Sequence, residues 1–160
     1  MKITKGIMIG TTFGLGLSFC ISFLFMLAAQ SLAGGFTSLF GESWLYYATI
    51  IPFILTFAIL GFYFAKRESV SNKKLWVLSL ISALFITLYS GTIGALFGEY
   101  VARGGSLRTY TAGGYTGVNV GGVLTWGTIY AFILLPLTVP LARLIIQAFL
   151  ELLKKFKLTL

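Results

Sequence analysis

The chain has 160 residues with a formal net charge of +8, and 58% of it is A, V, I, L, M, F, W, Y or C. Its 19 glycines raise the apolar share to roughly 70%, against about 45–50% for a soluble domain, and 16 charged residues are too few to clothe a soluble fold, which points to an integral membrane protein. Histidine and aspartate are absent and Cys20 is the sole cysteine, which excludes histidine-ligated haem, most metal centres, histidine-activated nucleophiles and an intrachain disulfide.

A membrane-crossing helix needs about 20 mostly apolar residues. The first such stretch, 7–32, contains no charged side chain. Gly6, Gly10, Gly14, Ser18 and Ser22 recur every four residues along it and form the small-residue ridge that lets helix backbones approach closely. Cys20, set between Phe19 and Ile21 with no basic neighbour, reads as an inert buried thiol. Lys2 and Lys5 with Ser31-Leu32-Ala33 look like the ends of a secretory signal. The apolar run of about 25 residues nevertheless exceeds the 7–15 of a signal core, so a retained helix is expected.

The second stretch, 44–65, is rich in Ile, Leu, Phe and Tyr and has no long small-residue ridge. Its bulky surface suits lipid or another protein. Pro52 lacks an N–H and should leave the Ala48 carbonyl without its usual helical donor, kinking the helix. Lys66, Arg67, Lys73 and Lys74 crowd the following connection. The third stretch, 75–97, carries two adjoining ridges, Ala83-Thr87-Gly91-Ala95 and Ser90-Gly94-Gly98. Two ridge-bearing helices predict that spans one and three pack face to face.

The connection 98–122 is long enough to build something. Seven glycines interrupt Glu99–Gly122, yet 107–111 and 115–120 are rich in β-formers around Ala112-Gly113-Gly114, which predicts a small β-hairpin on the outer face. A two-stranded hairpin alone is marginal, so a partner surface is expected, with Arg103, Arg108, Tyr110 and Tyr115 as contacts. The outer connection 34–43 offers Glu42 to Arg103 or Arg108. The order of residues in 111–117 is not that of a carbonyl-lined ion filter, and no short pore helix precedes it.

The fourth stretch, 123–142, contains Pro136 and Pro140 and runs into a tail, 143–160. Arg143, Gln147, Glu151, Lys154 and Lys155 fall on one helical stripe there, with Glu151 and Lys155 in the favoured i,i+4 order. The reading is a helix that bends at the prolines and lies in the cytoplasmic interface, anchored by Arg143, Lys154, Lys155 and Lys157. Trp44, Trp76 and Trp126 open spans two, three and four as interfacial anchors. Ten basic residues flank one side of this scheme against Arg103 and Arg108 on the other. That bias places both termini in the cytoplasm and the chain in a plasma or inner membrane.

The fold class expected is therefore an all-α, four-span membrane protein forming a single domain. Its four carboxylates, Glu42, Glu68, Glu99 and Glu151, lie at or beyond the span borders, so no catalytic, cofactor-binding or metal-binding residue is assigned and no enzyme is expected. The basic residues flank spans and contact lipid headgroups; they do not describe a nucleic-acid surface. The partners expected are membrane lipids and either other membrane subunits or further copies of the chain. These features predict a non-catalytic accessory or scaffolding subunit. The alternative is a homo-oligomeric channel or carrier for a neutral or weakly charged solute, its path lined by glycine and hydroxyl groups.

Overall fold

A computed structural model of the chain describes residues 2–32, 43–67, 70–111 and 114–158, apart from the side chains of 109–116. Six helices and two short strands follow in the order α1 (Lys2–Leu32), α2 (Ser43–Ala65), α3 (Asn72–Gly91), α4 (Ile93–Ala102), β1 (Arg108–Thr111), β2 (Gly114–Gly117), α5 (Val120–Ile133) and α6 (Leu135–Lys155). Four of these helices, α1, α2, α3 and α6, are long and apolar enough to cross a membrane. Helices α4 and α5 are shorter and apolar.

Two breaks divide what the composition reads as continuous spans. Thr92 separates α3 from α4 at φ −118° and ψ −95°. The local run Ser90-Gly91-Thr92-Ile93-Gly94 combines glycine and β-branched residues, the weak helix formers. At Leu134 the chain remains in the right-handed helical region, and its carbonyl accepts from Leu137 N at 3.0 Å and Thr138 N at 2.9 Å. Pro136, lacking an N–H, cannot continue the ladder from α5, so a new helix starts there. Pro140 lies inside α6 without ending it. The fourth long helix is therefore Leu135–Lys155, with no division at 143; the separate tail expected from the sequence is its second half.

Helix α2 organises the bundle, packing against α1, α3, α4 and α6. More than half of its most apolar window is buried, 56%, against 22% for α1 and α3. The bulky second span, expected to face lipid or another protein, is largely buried among helices of its own chain, whose glycines press on its main-chain carbonyls. The face-to-face pairing of spans one and three is corrected, because α1 and α3 make no contact among the described residues. Helix α1 packs chiefly on α2, whereas α3 packs on α6 and α5 as well as on α2. The α1 ridge meets the main chain of α2, where Gly61 and Ala65 answer Gly6 and the carbonyls of Phe57 and Phe53 answer Gly10 and Gly14, so close backbone approach is what the ridge supplies.

The α1–α2 seam is antiparallel, with four-residue steps along α1 answered by four-residue steps back along α2. A Cβ on Gly6 would lie 2.7 Å from the Gly61 carbonyl oxygen; one on Gly10 or Gly14 would strike the carbonyl of Phe57 or Phe53. One step further, Ser18 and Ser22 meet Thr49. On the next face of α2, Gly94 and Gly98 press on the carbonyls of Ala48 and Trp44. The Ala48 carbonyl is the one that Pro52 leaves without a helical donor, and only a residue lacking Cβ reaches it this closely.

Polar side chains start two of the helices. Ser71 caps α3 by accepting from Lys74 N, and Asn119 caps α5 by accepting from Gly122 N at 2.9 Å. Strands β1 and β2 pair antiparallel in the register Arg108↔Gly117 to Thr111↔Gly114. The molecule thus has a hairpin end, and an opposite, basic end holding Lys5, Lys66, Arg67, Lys73, Lys74, Lys154 and Lys155.

At the basic end the bundle is filled. Phe53, Phe57, Leu60, Phe64, Leu75, Ile146, Phe149, Leu150 and Leu153 form its buried core, with Leu158 behind them. Phe149 is the hub: its ring centroid lies 4.9 Å from Phe13, 5.2 Å from Phe57 in edge-to-face contact, and 6.3 Å from Phe64. The apolar face of the C-terminal half of α6 is therefore packed on α1, α2 and α3. An interface-bound tail with that face in lipid is not what forms, since the protein itself offers an aromatic pocket for it.

Candidate functional site: an apolar cleft

Helices α5 and α6 pack on α3 and stand away from α1 and α2 above the aromatic core. The gap is a cleft of about 730 Å³. On α2 its lining runs from Trp44 to Phe57, on α3 and α4 from Ser82 to Ala95, and on α5 and α6 from Val123 to Ile146; Leu17, Ile21, Ser22 and Phe25 of α1 complete it. None of these residues is charged. Trp44 and Trp126 stand toward the hairpin end, Trp126 stacked on Tyr130 at 5.8 Å. Phe57 and Ile146 belong both to the lining and to the aromatic core, so the cleft is blind toward the basic end.

Close backbone contact makes the back wall. Gly91 of α3 and Gly127 of α5 touch so tightly that a Cβ on Gly127 would overlap the Gly91 carbonyl. Ala83, Thr87, Ser90, Gly91 and Ala95, one of the predicted ridges and part of the other, form the floor. Of these, Gly91 packs on Gly127 of α5. Sequence reasoning missed the cleft because a packing ridge and a cavity floor have the same small-residue signature; Gly127 and Ala131, four apart on α5, were the matching signal.

The hydroxyls in the walls are mostly committed. Thr49 Oγ1 lies 2.8 Å from Ser18 Oγ and 2.7 Å from Ser22 Oγ, and it donates to the Leu45 carbonyl at 3.2 Å. Thr87 donates to Ala83 O at 2.8 Å and Thr138 to Leu134 O at 3.0 Å. Such back-bonding satisfies a hydroxyl inside its own helix and removes it from the cavity's polarity. Ser90 Oγ is buried with no hydrogen-bond partner.

The remaining predicted site residues lie elsewhere. Gly6, Gly10, Gly14, Ser18 and Ser22 are in the α1–α2 seam, Ser22 also reaching the cleft, and Gly94 and Gly98 are in the α2–α4 seam. Arg103 pairs with Glu99 at 2.6 Å, one turn away on α4. The anticipated alternative donor of charge, Glu42, lies outside the described residues, as does Glu68. Arg108, the first residue of β1, is exposed, and the side chains of Tyr110 and Tyr115 lie outside the described residues. Trp76 faces outward under the Arg143 guanidinium at 5.9 Å. Arg143 donates to Asn72 Oδ1 at 2.8 Å and to Gln147 Oε1 at 3.1 Å. Gln147 in turn donates to Glu151, which takes the place of the Glu151–Lys155 pair expected from spacing. Lys154, Lys155 and Lys157 are exposed.

Cys20 lies on the outward face of α1, away from α2. With the ridge through Ser18 and Ser22 turned to α2, a residue two positions from each must point the other way. Among the described residues no three metal-ligating side chains come together. Comparison with protein-family models, curated proteins and solved structures finds no match to this chain.

Proposed function

We propose that the protein is a non-catalytic accessory subunit of a larger membrane assembly, inserted with both termini and the basic end on the cytoplasmic side. The observation that carries this reading is the filled basic end. Phe57, Phe64, Phe149 and Leu153 occupy the space between the helices through which a solute path in a single chain would have to leave. Most hydroxyls that a neutral-solute path would use, Ser90 excepted, are bonded to one another or to main-chain carbonyls. Packing, rather than passage, is what the interior side chains serve.

The orientation rests on charge: the basic end carries ten of the twelve Lys and Arg residues, and such residues are retained in the cytoplasm. At that end Lys66 lies 4.2 Å over the Phe62 ring and Arg67 4.7 Å over Tyr63, which anchors the cations where an apolar surface meets headgroups. The hairpin, with Arg103, Arg108, Tyr110 and Tyr115, then faces the outer side as the surface offered to a partner. Gentle solubilisation from the native membrane, followed by native mass spectrometry, tests the reading. Co-migration with other polypeptides at fixed stoichiometry is expected. A defined homo-oligomer that conducts solute in vesicles containing this chain alone would overturn it in favour of a channel or carrier.

A further inference from the structure

We propose that the cleft between the α1–α2 pair and α5–α6 holds one acyl chain of a membrane phospholipid, entering from the hairpin end. The inference rests on the four long helices crossing a membrane and is independent of the subunit reading.

Three features select the occupant. The first is chemistry: the lining bears no charge, and Thr87 and Thr138 turn their hydroxyls back to their own helices, which leaves Ser90 Oγ as the buried lining hydroxyl without a partner among the described residues. Apolar cavities of this kind stay dry and take apolar ligands.

Length is the second. From Trp44 to Phe57 the α2 wall rises about 20 Å at 1.5 Å per residue, and it then meets the aromatic core around Phe149. A partner's transmembrane helix has to cross the whole hydrocarbon core of about 30 Å and would run into that core. An acyl chain of one leaflet has only about half of that thickness to cover, so a groove that stops at the aromatic core fits it. The third is capacity: 730 Å³ accommodates about 24 groups of water or methylene size at ~30 Å³ each, enough for one bent chain of ordinary length. Trp44 and Trp126 line the part of the cleft away from the aromatic core, and indole rings favour the level where the ester linkages of a phospholipid lie.

The test uses the full chain reconstituted in vesicles of palmitoyl-oleoyl phosphatidylcholine, resolubilised and examined by native mass spectrometry. Wild type is expected to retain one phosphatidylcholine per chain. Thr138→Phe, which projects a ring into the cleft, should lower the retained fraction at least tenfold. Ile133→Phe, at an outward position 63% exposed, should leave it unchanged. Absence of the adduct in wild type, or equal retention by both variants, overturns the proposal.

A second measurement on the wild-type fold guards against a misfolded variant. Phosphatidylcholine brominated in its acyl chains, at a few mole per cent, should quench tryptophan fluorescence in excess of its share of the bilayer and saturate. Quenching strictly proportional to mole fraction overturns the proposal as well.

Discussion

At the scale of single residues, glycine acts here through what it lacks. Gly10 and Gly16 lie on the same helix and are indistinguishable by composition, yet a Cβ at Gly10 would strike the Phe57 carbonyl while one at Gly16 would meet nothing within 4 Å. Gly10→Leu is expected to cost at least the ~1–3 kcal/mol of an overpacked core position, because the obstructing atom is main chain and cannot swing aside. Gly16→Leu should be neutral. Thermal unfolding in a mild detergent decides: a lowered midpoint for the first variant and an unchanged one for the second are expected, and equal midpoints would contradict the seam. Thr49 is the polar counterpart. It serves both Ser18 and Ser22, so three hydroxyls in the seam satisfy one another, as buried polar groups in lipid must. The four-residue ridge on α1 was legible in the sequence; which neighbour it would meet was not, since a ridge specifies closeness and not identity.

At the scale of elements, the instructive case is α6. Its stripe of Arg143, Gln147, Glu151 and the terminal lysines is visible from spacing alone, and so is the apolar face opposite. What spacing does not contain is the receptor for that face. Ile146, Phe149, Leu150 and Leu153 are buried because α1, α2 and α3 together present Phe13, Phe57, Phe64 and Leu75, residues separated by up to 140 positions in the chain. Phe149→Ala should therefore cost about 3–5 kcal/mol and loosen the C-terminal half of α6 from the bundle. Limited proteolysis after Lys154 and Lys155 reads this directly: cleavage is expected to accelerate in the variant while the α1–α2 pair stays protected. Unchanged cleavage would mean that the face docks elsewhere. The breaks at Thr92 and Leu134 have local causes, weak helix formers around one and Pro136 after the other.

For the whole molecule, the charge distribution and the packing are two separate layers of information. Basic residues gather at one end whichever helices touch, so the proposed orientation can be tested without reference to the fold. In a Cys20→Ser background, Ser106→Cys near the hairpin is expected to react with a membrane-impermeant maleimide added to intact cells, and Lys155→Cys only after permeabilisation. The reverse pattern would invert the topology. Packing, by contrast, runs through α2, which takes the ridge of α1 on one face and the glycines of α4 on another. Because α2 is occupied by those neighbours, α5 and α6 pack chiefly along α3, and α6 meets α2 at the aromatic core. The cleft is the space that this arrangement leaves.

By itself the sequence determined the membrane class, the apolar helices, the small-residue ridges and the clustering of charge, since each depends on composition or on spacing within one helix. The tertiary structure decided the partners of those ridges, the burial of the α6 face and the existence of the cleft. Those depend on which distant segments compete for the same surface, and helices in lipid choose among neighbours by shape, a property of the assembled surfaces rather than of any one stretch.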